Sequence, residues 1–278
     1  MTAATPNGTA RGRAGFAWGA VIGSLGGLIG LGGAEFRLPV LVGHFKLATL
    51  EALILNKALS LVVVAFALLF RAGAIPFDTL WPHVDIAVNL LAGSLIGAWW
   101  AAGHAMRMSR QWLDRVILIL LIGLSLVILA EAAFGHGEGA GRAIIEAGVG
   151  RWIAGFVAGL GIGMVAALLG VAGGELLIPT LILLYGVDVK LAGSLSLMVS
   201  LPTMIVGFTR YSQSDAFVIL GQERALLIWM ALGSIVGAGI GGLMLGVVPS
   251  RLLLAGLGVI LLVSAVKVFR HAQGDKQP

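Results

Sequence analysis

A lysine stands in the middle of a stretch otherwise fit only for lipid: EALILNKALSLVVVAFALLF, residues 51–70, with Lys57 as its one basic residue. A helix over 46–70 would be about 37 Å long at 1.5 Å per residue, so Lys57 falls well inside a hydrocarbon core of roughly 30 Å. A charge there costs at least about 2.5–3.5 kcal/mol on insertion scales, and something must offset it. One candidate is an anion in a central cavity, with Lys57 as counter-charge and Asn56 and Ser60 as neighbouring neutral donors. The other is a structural ion pair with Glu51, Glu35 or Glu175, or snorkelling. Snorkelling suits the position poorly, since Lys57 lies about 16 Å along the helix from residue 46.

Two glycine motifs could complete an anion site: GLIGLGGAEFRLP (27–39) and ALLGVAGGELLIP (167–179). Glycine tolerates backbone angles that other residues do not and lets a ligand or another backbone approach closely. In each motif a glutamate is followed four residues later by proline, which predicts a half-helix starting near residue 34 and another near 174. Their free N–H groups and positive dipole ends would point into the membrane middle, an anion site made from backbone at Gly32, Gly33, Ala34 and Glu35 and at Gly173, Gly174 and Glu175. The alternative is tight helix crossing. Glu35 and Glu175 either complement the helix N-termini as acids or act as protonation sites that couple transport to a proton gradient. Arg37 could reach the anion or only the loop.

In KLAGSLSLMVSLPTMIVGFTRY (190–211), Ser194, Ser196, Ser200 and Thr203 could line a cavity as neutral donors, Ser196, Ser200 and Thr203 sharing a helix face by spacing. Hydroxyls in membrane helices also bond their own backbone, the structural account of each. Pro202 is expected to kink the helix. Arg210 and Tyr211 read as interface anchors, and Trp81, Trp99, Trp100 and Trp112 as interfacial belt or packing. A different set of glycines is assigned to helix packing: Gly15, Gly19 and Gly23; Gly155, Gly159 and Gly163; and Gly233, Gly237 and Gly241 each share a face at four-residue spacing.

The elements that must position these residues recur along the chain. AGFAWGAVIG (14–23) matches AGFVAGLGIG (154–163), and GSLIGA (93–98) matches GSIVGA (233–238), both at an offset of 140. Gly30, Gly33, Glu35 and Pro39 match Gly170, Gly173, Glu175 and Pro179 at the same offset, while KLA (46–48) matches KLA (190–192) at 144. The chain reads as a duplication: a polar tail (1–13), a first transmembrane repeat (14–134), a linker loop (135–149), a second repeat (150–270) and a C-terminal tail (271–278). Each half has a glycine-broken segment (14–45; 150–186), then apolar segments at 46–71, 84–105 and 112–134, matched by 190–212, 223–247 and 249–270. At the position matching Lys57 the second half has Leu201, so the duplicated architecture alone does not require the charge.

If each broken segment crosses once, the halves are parallel; if it breaks and returns, the second half is inverted. Leaving out Lys57, the returning arrangement puts 11 Lys and Arg on the side of the N-terminus and 6 opposite, against 10 and 7 for single crossings. The positive-inside rule thus leans to inverted repeats with both termini cytoplasmic. The fold class is an all-α polytopic membrane protein of two repeats.

Composition agrees: of 278 residues 59% are hydrophobic and 11% charged, against about 25% charged in an ordinary soluble domain. No cleavage site follows a short apolar core, so no signal peptide is read. There is no cysteine, hence neither disulfide nor thiolate chemistry. The net charge of +5 comes with no long basic run, which argues against a nucleic-acid partner. H-E-x-x-H, G-x-S-x-G and Walker motifs are missing from the sequence, so neither hydrolase chemistry nor ATP-driven transport is indicated, and no cofactor is expected.

The two hydrophobic halves, each with a glycine-rich motif ending in proline (GLGGAEFRLP and GVAGGELLIP) and followed by KLA and GSxxGA segments, resemble the TauE/SafE sulfite exporter family, also called the 4-toluene sulfonate uptake permease family. The resemblance covers about residues 11–270. It implies a multi-pass secondary transporter of the bacterial inner membrane carrying sulfur-containing anions: sulfite, thiosulfate, sulfoacetate or related organosulfonates. Ala34 stands where the second half has Gly174, a departure that narrows the first half's site. The resulting expectation is an exporter working by alternating access, embedded in the lipid bilayer. Its anion would be bound by Lys57, Asn56, Ser196, Ser200 and the two half-helix N-termini, and GxxxG-type faces make a homodimer plausible. The alternatives are a passive anion channel and a non-transporting membrane scaffold.

Overall fold

A computed structural model describes residues 7–104, 143–169, 173–211 and 218–274, together with 119, 122, 123, 125, 126, 128–130 and 133. Residues 135–142 of the linker, Trp112 and the side chains of Arg210 and Tyr211, to which roles were given above, lie outside the described residues. Among the described residues there are helices and no strands. In lipid no water can satisfy backbone N–H and C=O groups, so a segment this apolar must satisfy them within itself.

The helices are α1 (Asn7–Ile29), α2 (Ala34–Gly43), α3 (Thr49–Arg71), α4 (Val84–His104), α5 (Val149–Leu169), α6 (Gly174–Tyr185), α7 (Val189–Tyr211), α8 (Arg224–Met244) and α9 (Ser250–Gly274). Short helical turns precede α4 (Phe77–Leu80, Trp81–His83) and α8 (Ile219–Gln222), and helical positions between 119 and 133 follow α4. Five helices of the described residues are long and apolar enough to cross a membrane, over Glu51–Arg71, Phe77–Trp100, Val149–Ala167, Val189–Val206 and Arg224–Met244. Helix α1, with Arg11 and Arg13 in its first turns, is not one of the five. Outward faces carry Val21, Leu69, Ile96, Val157, Val236 and Ile240, each at least 48% exposed, a surface suited to lipid contact.

Both broken segments fold back on themselves. After α1 the chain turns at Gly30 (φ 96°), and the Leu31 carbonyl comes against Gly26. Gly33 then packs on Ile22, the His44 ring lies 6.4 Å from that of Trp18, and Arg11 stacks 5.8 Å over Phe45. Helix α2 therefore starts about two-thirds of the way along α1 and returns toward its N-terminal end. In the second half Gly173 packs on Ile162 and Ala166, and Arg151 stacks 5.6 Å over Tyr185. The half-helices begin at Ala34 and Gly174, the positions expected from the glycine–glutamate–proline pattern. Helix α7 continues through Pro202.

Helix α3 starts with its Ala48 N–H bonded to the Glu51 carboxylate (3.2 Å), and it ends beside the far end of α1, where Arg71 bonds the Gly27 and Leu28 carbonyls. Helix α7 starts at that same far end, because Arg71 also bonds the Lys190 carbonyl.

The closest packing joins α1 to α8 and α4 to α5. Gly15, Gly19, Gly23 and Gly27 of α1 lie against Leu226, Met230, Ser234 and Ala238 of α8, so the two helices run in the same direction. In return Gly233, Gly237 and Gly241 lie against the carbonyls of Phe16, Ala20 and Ser24. Helices α4 and α5 repeat this contact for contact: Gly93 on Phe156, Gly97 on Leu160, Gly159 on Leu90 and Gly163 on Ser94. Each pair follows from an α1–α8 pair by adding 140 to one residue and subtracting 140 from the other. The glycines assigned to packing are thus interface residues, but between helices of different halves.

A methyl group at these positions would overlap a facing backbone carbonyl. Gly23→Ala, whose Cβ would lie 2.8 Å from the Ser234 Cα, should destabilise the protein by about 1–3 kcal/mol, the cost of overpacking. Gly161→Ala, on the same type of helix but with open space at the Cβ position, should be neutral or slightly stabilising. Thermal unfolding of both variants in detergent against wild type checks this contrast.

Candidate functional site

Two positive-φ glycines shape the first break. At Gly30 a Cβ would run into the Gly193 backbone (2.5 Å to its Cα), so the loop crosses α7 where neither chain has a side chain. Gly33 (φ 69°) is the N-cap of α2 and supplies no side chain to its N–H groups. Gly173 (φ 76°) does the same for α6. Both helices thus begin with bare backbone, Glu35 and Glu175 standing in their first turns as the complement to the helix dipole.

The two breaks meet. A Cβ on Gly174 would lie 3.1 Å from the Leu31 side chain, 3.3 Å from Ser196 Oγ and 3.4 Å from the Gly30 carbonyl. The first residue of α6 therefore abuts the loop that precedes α2. Ser196 is fully buried, and its hydroxyl has no hydrogen-bond partner among the described residues.

The start of α2 is tied to α3 by a buried polar group. Asn56 Nδ2 donates to the Ala34 carbonyl (3.1 Å), and Arg37 Nη1 donates to Ser60 Oγ (2.9 Å) and Asn56 Oδ1 (3.4 Å). Lys57 is buried in the same turn of α3, at 5% exposure. Ser200 is likewise buried on α7, whereas Thr203 bonds its own helix at Val199 (2.9 Å) and faces Ser94 (3.3 Å). Gly32, Gly33, Ala34, Asn56 and the first turn of α2 form one neighbourhood, and Gly173, Gly174, Glu175 and Ser196 another, joined at Gly30.

Arg71 was not singled out from the sequence. It closes an apolar run, where an arginine reads as an interface anchor, yet it is 1% exposed. Its guanidinium bonds the carbonyls of Gly27 (2.9 Å), Leu28 (2.8 Å) and Lys190 (2.6 Å) and the Ser194 hydroxyl (3.0 Å). It satisfies the last carbonyls of α1, which no helix turn can reach, and clips them to the start of α7. Ser194 is thereby engaged with Arg71 rather than with a cavity.

A cavity of about 440 Å³ lies at this far end, lined by His83, Asp85, Asn89, Arg151, Tyr185 and Asp188 among others. Tyr185 ends α6, so roughly 17 Å of helix separates the cavity from Gly174. The corresponding corner at the other end of the bundle is occupied: Arg11 pairs with Glu223 (2.9 Å) over Phe45, and Trp229 packs on Gly12.

The family model described as sulfite exporter TauE/SafE matches residues 15–268. The chain belongs to the TauE/SafE sulfite exporter family. The match takes in both glycine breaks and every helix named above except the ends of α1 and α9. As a TauE/SafE protein with several membrane-spanning helices, it is a membrane transporter. No curated protein and no solved structure matches the chain.

For this TauE/SafE protein, Arg71→Ala should be a folding lesion, since it strands the Gly27 and Leu28 carbonyls at the end of α1 at a cost of about 1–3 kcal/mol each. Reduced yield of monodisperse protein and a lowered unfolding temperature are the expected readouts, and Arg71→Lys, lacking the fork, should rescue little.

Proposed function

We propose that the chain is a secondary transporter that exports a sulfur oxyanion or organosulfonate across the bacterial inner membrane by alternating access. The anion binds where the two breaks meet, at the N-termini of α2 and α6, with Lys57 as counter-charge and Asn56, Ser196 and Ser200 as neutral donors. One observation carries this reading: two half-helices start at side-chain-free glycines, deep along their fold-back hairpins, and the first residue of α6, Gly174, abuts the loop before α2 at Gly30. Backbone N–H groups at a buried helix start favour an anion, and discontinuous helices of this kind bind substrates in known transporter architectures.

The repeats 14–134 and 150–270 are read as inverted, with both termini cytoplasmic. In support, α1 runs from the Arg11 end toward Arg71, whereas α5 runs parallel to α4 and starts at the cavity end. The exchange-symmetric glycine contacts fit a two-fold relation between the halves. A homodimer through the exposed apolar faces is part of the same proposal. In this arrangement the occupied Arg11–Glu223 corner is the closed side, and the cavity at Arg151 and His83 marks the open one.

Sulfite efflux from proteoliposomes tests the first claim: Lys57→Ala should lower flux at least about tenfold at matched reconstitution, the loss expected for one charge-assisted contact. Wild-type rates from that variant would remove Lys57 from the site. Conductance far above a carrier's turnover would make the protein a channel.

Access can be read separately. The chain has no native cysteine, so Phe45→Cys gives a single label site. Adding Glu223→Gln should raise its reaction with an impermeant maleimide by up to about fivefold, the limit for a partly exposed ion pair.

A further inference from the structure

Arg37 has no role in the reading above, and its surroundings are unusual for a structural arginine. It is fully buried at 0% exposure. Only Nη1 is engaged, by Ser60 Oγ, Asn56 Oδ1 and, at 3.5 Å, the Asn56 carbonyl. Nε and Nη2 have no hydrogen-bond partner among the described residues. These two are the donors on one edge of the guanidinium plane, whose N–H bonds run parallel and match two oxygens on one central atom. Leaving such donors unpaired in an apolar interior is costly, so a polar occupant is expected.

The free edge lies beside the start of α2. Nη2 lies 3.6 Å from the position a Cβ would take on Gly33, the N-cap that contributes no side chain. The helix start and the arginine fork are thus neighbours. The fork is also held in place, since Ser60 and Asn56 fix its other edge while Asn56 ties down Ala34. The matching position in the second half is Leu177.

We propose that Arg37 grips the transported anion side-on, through Nε and Nη2, against the first turn of α2. The ligand class is a pyramidal or tetrahedral oxyanion with at least two oxygens on one atom, such as sulfite or a sulfonate. A halide, with a single centre, cannot span the fork. Glu35, whose charge acts on the same guanidinium, shares this cation with the substrate. The inference rests on the transporter reading and adds the residue that selects for oxyanions.

Binding is measured calorimetrically on the purified full-length protein, with sulfite, methanesulfonate and chloride as probes. Wild type should bind the two oxyanions and discriminate against chloride. Arg37→Lys, which keeps the charge but loses the fork, should weaken oxyanion binding at least about tenfold while chloride behaves as before. Unchanged oxyanion affinity in a folded Arg37→Lys protein overturns the inference and leaves the transporter reading standing. Wild type that binds neither oxyanion overturns both. Should Arg37→Lys fail to fold, Ser60→Ala carries the test: it releases the fixed edge and should weaken sulfite about threefold to tenfold, and an unchanged affinity overturns the inference.

Discussion

Helix-to-helix backbone contact at glycine is the constraint on which the other features of this protein depend. Along α1–α8 and α4–α5 a glycine on one helix meets a carbonyl on the other every four residues, with no room for a methyl group between them. In lipid there is little hydrophobic gain from bringing two apolar helices together, so close van der Waals contact has to supply the attraction. The two seams bind the opening helix of each half to the third long helix of the other. The halves are therefore interlocked, and the fold-back hairpins hanging from α1 and α5 are brought to a common meeting point.

At that meeting point backbone polarity is managed without capping side chains. Gly33 and Gly173 turn the chain through positive φ and leave the starts of α2 and α6 bare, while Arg71 takes the opposite role at the end of α1. Both devices answer one requirement, that N–H and C=O groups freed by a helix break must find partners inside the membrane. The carbonyl end of α1 is met by an arginine of the protein itself. Near the N–H ends lie Arg37, Asn56 and Ser196, with Glu35 and Glu175 in the first turns of the two helices.

The two ends of the bundle differ. Arg11 and Arg151 stack on Phe45 and Tyr185 at equivalent places. At the first corner the space is taken up by Glu223 and Trp229; at the second the matching residues are His83 and Asn89, and a cavity opens. Different side chains at these places thus go with a filled corner at one end and a cavity at the other.

Much of this was legible in the sequence by itself. The apolar runs required membrane helices, and glycine, glutamate and proline at fixed spacing marked the starts of α2 and α6 to the residue. The four-residue glycine ladders marked close helix faces, because these are local properties of backbone and side-chain size. Which ladder meets which was decided only in three dimensions: α1 seats on α8 rather than on a helix of its own half, a choice that depends on how distant segments cross. The charged residues were the least legible. Lys57 declared itself by sitting mid-run, but Arg71 at the end of a run looks like an ordinary boundary charge, and for Arg37 the sequence left open whether it reaches the anion or only the loop. Only the tertiary structure, by turning both guanidinium groups inward, separates the one that staples helix ends from the one whose Nε and Nη2 have no partner among the described residues.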